Sequence, residues 1–459
     1  MSAADDSPAL PAATATVAAP ATAAPRRRAA AVGDAPVSLF LPCAAGVEAL
    51  LADEVQRILG AGTAVQIDRG GLQVMGDALA AMRLNLESRL AQRVLWPLVH
   101  GPYDNEHHLY ALARTVPWGD WITPAQTFRI DTTAQRSPLQ SLNFATLRVK
   151  DAVCDVLRDS TGERPSIDTK FPDLPLTLHL SPSHATLYAD TSGEALFKRG
   201  WRDAQGLKGE APLKETLAAA LLAAAGWQGR PEDGPLFDPC CGAGTIVIEA
   251  AQVACGIAPG LQRRFAFEKM LPFRPHQNSW ARLKDAARAR QQPPAVKIYG
   301  GDVSFRMTDF AQRNAERAGV ARFIEFKTAD ALQRLPPAER GLMVINPPYG
   351  ERIEPMGRGS ERSGPRNRAD QRPNPRPTRQ GFEGGASATE FFSQLAAHWK
   401  HHYAGWTAWV LSPDMKLPQA LRLKESRRVP MWNGPIECRL FRFDLVAGSA
   451  RGKAGVEVG

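Results

Sequence analysis

Apolar residues recur along this chain at two periods, and the rhythm changes near residue 209. Val37-Ser38-Leu39-Phe40-Leu41-Pro42 reads as a strand, and from Gly46 to Leu59 the residues Val47, Leu50, Leu51, Val55, Ile58 and Leu59 fall on one helical face that Gly60 ends. Ala64 to Ile67, a Gly70-Gly71 turn and Leu72 to Met75 predict a hairpin, Ala78 to Leu90 a second helix, and Arg93 to Val99 another strand. Two helices alternating with about four strands predict a small α+β unit over residues 37–100. A second unit, 101–202, holds a strand at Phe128 to Thr133, a helix from Ser141 to Arg158, and strands at Leu176 to Leu180 and Ala185 to Asp190. Arg148 and Lys150 lie off that helix's apolar side, where phosphate contact and a solvated polar face are both open readings. Phe197-Lys198-Arg199-Gly200-Trp201-Arg202 interleaves basic and aromatic residues, which suits either a nucleic-acid grip or an interdomain hinge.

From Gly209 helix and strand alternate, predicting an α/β domain with a mostly parallel sheet over 203–445. Ala211 to Thr216 opens a long Ala/Leu helix that Gly226 closes. Leu236 to Thr245 then gives strand, glycine-rich turn and helix: Gly242 and Gly244 let backbone approach a ligand, and the helix start favours an anionic group. No Lys-Ser/Thr follows at Walker spacing, and Val247 occupies the third glycine position of a dinucleotide fingerprint, so neither motif applies. Val296 to Asp302 is a strand ending in an acid suited to a ribose diol; Phe323 to Lys327 is another, followed by Asp330, suited to an adenine amino group. Leu342-Met343-Val344-Ile345 is a buried strand that Asn346-Pro347-Pro348-Tyr349 terminates, leaving Asn346 at its mouth. An exocyclic amine on a base is a poor nucleophile until neighbours accept its N–H bonds. The Asn346 side-chain oxygen and the Pro347 carbonyl suit that task, and Tyr349 suits stacking. Asn433-Gly434 predicts a closing hairpin, which adds an antiparallel strand.

Composition limits the partner. The net charge is +9 over 459 residues; residues 1–36 balance three Arg against three Asp, and 355–387 hold seven Arg against three acids, leaving about +5 elsewhere. A nucleic-acid surface must therefore be a local patch. Residues 1–36, rich in Ala and Pro, and the Arg-rich insert 355–387 are expected to be disordered, and 446–459 form a C-terminal tail. Six cysteines without a C-x-x-C pair argue against a disulfide framework or metal site and fit a cytoplasmic setting; no apolar run is long enough to span a membrane.

Taken together, Asp238-Pro239-Cys240-Cys241-Gly242-Ala243-Gly244-Thr245, the Asp302 strand end and Asn346-Pro347-Pro348-Tyr349 resemble a class I S-adenosylmethionine-dependent methyltransferase of the amino-methylating type. With Lys198 to Arg202, Ala211 to Glu215 and Asn433 to Cys438, the chain from about Val37 to Leu445 resembles the bacterial 23S rRNA guanine-N2 methyltransferases of the RlmL type. The resemblance implies a Rossmann-like catalytic domain preceded by a ferredoxin-like piece and a THUMP RNA-binding domain. It implies S-adenosylmethionine as cofactor, S-adenosylhomocysteine as product, no metal, and 23S rRNA or a large-subunit assembly intermediate as partner. By the same resemblance Asp238, Cys240, Gly242, Gly244, Thr245, Asp302, Asp330 and Asn346 line the cofactor site, with Asn346, Pro347, Pro348 and Tyr349 catalytic. Arg148, Lys150, Lys198, Arg199, Trp201 and Arg202 are the RNA-binding candidates. The sequence departs at Ser304, where relatives commonly carry a second acid. Fused relatives add a second methyltransferase domain, so the expectation here is the single-activity form. Rival readings are a tRNA guanine-N2 methyltransferase, a non-catalytic ribosome-assembly factor, and an enzyme acting on a DNA adenine or a protein glutamine.

Overall fold

The structure, a computed structural model, describes residues 32–202, 213–347 and 386–446. The first half runs β1 (Val37–Pro42), α1 (Glu48–Leu59), β2 (Val65–Asp68), β3 (Gly71–Gly76), α2 (Ala78–Glu87) and β4 (Leu95–Pro102). It continues through α3 (Glu106–Arg114), β5 (Thr127–Ala134), α4 (Leu142–Thr161), β6 (Ser166–Ile167), β7 (Leu174–Leu180) and β8 (His184–Asp190). Alternation drives the packing: Leu39 and Leu41 of β1 are buried, as are Leu51, Val55 and Ile58 of α1, so the strand's inner face and the helix's apolar stripe share one core. On α4 the buried set is Ala145, Val149, Ala152, Val153, Cys154 and Leu157; the Ser141 hydroxyl accepts from Phe144 N at 3.2 Å to start it, and left-handed Gly162 ends it.

Two findings go beyond the sequence pattern. The strands form one sheet in the order β2-β3-β1-β4-β8-β7-β5-β6, because β4 pairs with β1 at Leu95 and with β8 from Leu95↔Asp190 to Pro102↔His184. The sheet therefore continues through position 100, with one register shift in β4 between Pro97 and Val99. The expected disorder of residues 1–36 is also corrected at its end: the Gly33 carbonyl accepts from Ala78 N at 2.9 Å, supplying a partner to an otherwise orphaned N–H at the start of α2. Residues 1–31 lie outside the described residues.

The second half contains α5 (Glu215–Ala225), β9 (Leu236–Asp238), α6 (Thr245–Ala254), α7 (Gln277–Ala289), β10 (Ile298–Asp302), α8 (Phe305–Arg317), β11 (Ile324–Thr328) and β12 (Gly341–Ile345). After these come α9 (Ala386–His402), β13 (Trp406–Ser412), α10 (Leu417–Leu421), β14 (Arg427–Asn433) and β15 (Ile436–Asp444). Its seven strands are ordered β11-β10-β9-β12-β13-β15-β14. The first five run parallel and the last two join antiparallel, giving the mostly parallel Rossmann-like sheet with a closing hairpin. Successive strands spread to one side from β9 and to the other from β12. The order thus reverses between them, and in open α/β sheets a ligand crevice opens at the carboxyl ends there. Residues 203–212, 348–385 and 447–459, which include the start of the Ala211-Pro212 segment, most of the insert and nearly all of the C-terminal tail, lie outside the described residues.

Candidate functional site

The glycine-rich turn leaves β9 at the sheet's reversal point. Asp238 ends the strand fully buried, and its carboxylate accepts from Cys240 N at 3.1 Å; burial pushes its pKa well up, and nearby Asp302 pushes the same way. Asp238 thus shapes the turn from beneath and presents no exposed oxygen to a ligand. Gly242 has φ +53°, and a Cβ built on it would meet only Met307 Cε, at 4.0 Å, so the backbone there faces open space. Gly244 (φ +85°) serves packing instead: a Cβ would come within 3.0 Å of Ala311 Cβ and 3.2 Å of Ala311 Cα on α8. Only glycine lets α6 begin that close to α8.

Asp302, at the end of β10, joins the neighbouring strand to the turn. One carboxylate oxygen accepts from Gly242 N at 3.0 Å and the other from Ser304 N at 2.9 Å. Each oxygen keeps a lone pair beyond these bonds, so a vicinal diol fits over the same group. Burial raises the Asp302 pKa, while the two N–H donors work to lower it. Ser304 contributes its backbone N–H to this grip. Asp330 follows β11, which pairs with β10 through Asp302↔Thr328, and accepts from Leu332 N at 2.9 Å. These acids converge: burial first, then Asp238, Asp302 and Asp330, push the Cys240 thiol well above its ordinary range. Cys240 is thus a partly buried wall of the turn, its thiol form favoured.

Across the reversal, β12 pairs with β9 through Leu342↔Leu236 and Met343↔Phe237, which sets half-buried Asn346 beside the strand that carries the turn. Pro347 is buried directly after it. The side-chain oxygen of Asn346 and the main-chain oxygen of Pro347 are thus successive acceptors at the mouth of the crevice. Pro348 and Tyr349 lie outside the described residues. Two residues passed over in the sequence stand out here: Val303 and Phe305 are 72% and 76% exposed immediately after Asp302, an apolar wall suited to a purine ring. Their signal was two large apolar side chains flanking a serine at a strand end, where a loop is ordinarily polar.

The basic–aromatic cluster divides. Arg199 is 2% exposed and its guanidinium is fully engaged: it donates to Glu249 at 3.0 and 3.5 Å, to Leu196 O at 2.8 Å and to Arg89 O at 2.7 Å. Arg89 reaches the same Glu249, at 3.3 Å. Trp201 is 1% exposed, its carbonyl accepting from Arg317 Nε at 2.8 Å. Burial removes both from any RNA surface and corrects the reading of them as RNA contacts; they join the N-terminal half to the α/β half. Arg202 is half-buried and holds Glu215 at 2.5 Å, Leu213 O at 2.9 Å and Thr245 Oγ1 at 2.8 Å, which places it beneath the glycine-rich turn. Thr245 is accordingly buried at the first position of α6, with its hydroxyl turned to Arg202. Lys198 is exposed and paired with Glu194 at 2.7 Å. Arg148 and Lys150 share Asp151 on α4, at 3.7 and 3.1 Å, and Arg148 also lies 4.6 Å over the Tyr110 ring. Two cations share one carboxylate there, so this stretch of α4 is only partly neutralised. All six cysteines are unpaired, and no group of three metal-ligating side chains occurs among the described residues. No helix there is long and apolar enough to cross a membrane.

Comparison with known proteins matches this architecture segment by segment. Residues 38–95 match the RlmL ferredoxin-like domain, 103–190 the THUMP domain and 199–361 the RMKL-like methyltransferase domain. A ribosomal RNA large subunit methyltransferase K/L from Shewanella loihica is 37% identical over 376 residues, covering 81% of this chain and 48% of that protein. The chain spans about half the length of the curated relatives it matches. Among solved structures, a possible methylase from Clostridium difficile 630 superposes with a TM-score of 0.74 at 26% identity, covering 90% of this chain and 99% of the other. A putative methyltransferase, SMU.472, solved with S-adenosylhomocysteine, superposes at 0.75 and 24% identity, covering 89% and 98%, which shows the shared fold. In content and in order, this chain matches a ferredoxin-like domain, a THUMP domain and an RMKL-like methyltransferase domain.

Proposed function

We propose that this chain transfers a methyl group from S-adenosylmethionine to the exocyclic N2 of a guanine in large-subunit ribosomal RNA. The observation that carries the reading is the pairing of β9 with β12, which sets the glycine-rich turn and Asn346 side by side at the sheet's reversal. The open space at Gly242, the two anchored oxygens of Asp302 and the apolar Val303 and Phe305 suit the cofactor's methionine end, ribose and purine respectively. When bound, the cofactor supplies an activated methyl on a sulfonium. Asn346 Oδ1 and the Pro347 carbonyl accept the two N2–H bonds of the guanine, turning its lone pair toward that carbon. Transfer would form the nitrogen–carbon bond as the donor's carbon–sulfur bond breaks, and the methylated amine would give one proton to water. Positioning supplies most of the rate, so no strong general base is needed. A base held in a helix must first leave the stack to reach Asn346.

The ribosomal substrate rests on the names of the relatives and on the THUMP match. Labelled methyl transfer to unmodified 23S rRNA and, separately, to bulk tRNA, followed by nucleoside analysis, tests both parts. N2-methylguanosine in the rRNA alone is the expected result. Label in tRNA alone moves the substrate, methylated adenine moves the acceptor atom, and no label despite cofactor binding removes the catalytic reading.

A further inference from the structure

Between the sheet of the N-terminal half and the catalytic domain lies a cleft of about 1520 Å³, whose lining carries twelve Lys or Arg against two Glu. Most of these cations are already engaged, as Arg199 and Arg202 are. Three are not: Lys170, Lys214 and Arg264 are exposed and meet no carboxylate among the described residues. They come from both walls, Lys170 from the β6–β7 loop and the other two from the catalytic side. Beside Lys170 stands Phe171, 78% exposed, in a loop pinned by Asp168, whose carboxylate accepts from Lys170 N at 2.8 Å and Phe171 N at 3.0 Å. Further in, half-buried Phe197 lies 5.2 Å under the Lys214 ammonium, and half-buried Phe310 of α8 continues toward Ala243 of the glycine-rich turn. An isolated exposed phenylalanine needs no explanation. One held rigidly at the rim of a cationic cleft, with further rings interleaved with cations along it, has the make-up of a single-stranded nucleic-acid channel.

We propose that this cleft takes an unpaired RNA segment, with Phe171 as the stacking platform at its entrance and Lys170, Lys214 and Arg264 as its free phosphate contacts. The proposal deepens the RNA methyltransferase reading and rests on it for the identity of the polymer. Two facing walls admit one strand between them, whereas a duplex offers no unstacked base to Phe171. Lys198 lines the same cleft but is half-neutralised by Glu194, so it contributes less than the three unpaired cations.

The test uses the full chain with two fluorescent probes, a 12-nucleotide oligouridine and a 12-base-pair RNA duplex, titrated from 50 to 250 mM KCl; these probe lengths and salts are on the order of one binding site and of the range where counterion release is read. The expected result is preference for the single strand. Phe171→Ala is expected to weaken it roughly 5- to 150-fold with little change in salt slope, and Phe171→Trp to restore it. Lys170→Ala with Arg264→Ala is expected instead to flatten the slope by about 1–2. Calorimetric affinity for S-adenosylmethionine should stay unchanged in all variants. Equal binding of Phe171→Ala and the parent, or preference for the duplex, overturns the proposal. Because binding is read without turnover, failure to methylate guanine would leave this result standing, and the reverse holds equally.

Discussion

Replacing Arg199 by alanine separates a structural from an RNA-binding role. The side chain sits 1% exposed against a Glu249 that is fully buried, and makes four hydrogen bonds. Its loss strips donors from two buried carbonyls, at about 1–3 kcal/mol each when unmet, and breaks one arm of a buried ion pair, a change that typically costs about 3–5 kcal/mol. Arg89 stays on Glu249, so the carboxylate is not left alone and the lower figure of about 3 kcal/mol applies. Adding about 1 kcal/mol for each carbonyl brings the loss to at least about 5 kcal/mol, which for an α/β domain of this size is a fall of roughly 10–20 °C in melting temperature. Scanning fluorimetry reads the melting shift, and a salt titration against unmodified 23S rRNA, run well below the melt, reads RNA affinity. Lower melting with unchanged RNA affinity is expected. A shift within about 1 °C, together with weakened and salt-flattened RNA binding, would refute the argument and return Arg199 to the RNA surface.

Other substitutions address the catalytic edge. Asn346→Ala is expected to lower kcat by at least about 100-fold while leaving calorimetric cofactor affinity within about twofold, since it removes an acceptor that serves the base. Asp302→Asn should weaken cofactor binding. In the parent, burial raises the Asp302 pKa, so the carboxylate protonates on acidification at a pH above the roughly 3.9 of an ordinary aspartate, and affinity falls off correspondingly early. A titration whose midpoint matches a free carboxylate would contradict this, and the variant should lack the step altogether. Gly244→Ala combines a left-handed φ with a 3.0 Å approach to Ala311, so it is expected to lower the melting temperature and cofactor affinity together, by at least about 1–2 kcal/mol in stability.

Much of this was legible in the chain because it is local. Strand, turn and helix around Gly242, the acid at the end of β10 and the Asn-Pro-Pro stop after β12 are each encoded within ten residues, so their placement at one sheet edge follows from the α/β alternation. Three helices escaped notice for physical reasons, α10 because five residues are too few to show a period. On α7 the buried positions are only Trp280 and Ala287, and on α3 only Leu109 and Ala113, too few for a visible stripe. The cluster at Lys198 to Arg202 was ambiguous because composition is the same for a grip and a joint. What decides it is Glu249, 50 residues on and buried in α6, which no local pattern announces.

The sheet shared through β4 has a mechanical meaning for the segments that match the ferredoxin-like and THUMP domains. Seven inter-strand steps of about 4.8 Å span roughly 34 Å from β2 to β6, and bending that plank at its middle would tear the hydrogen bonds between β4 and β8. The shared sheet therefore sets the spacing between the two units. An RNA feature held at one edge of the sheet lies at a set distance from anything held at the other, and a substrate whose features are spaced differently cannot be accommodated by flexing between them.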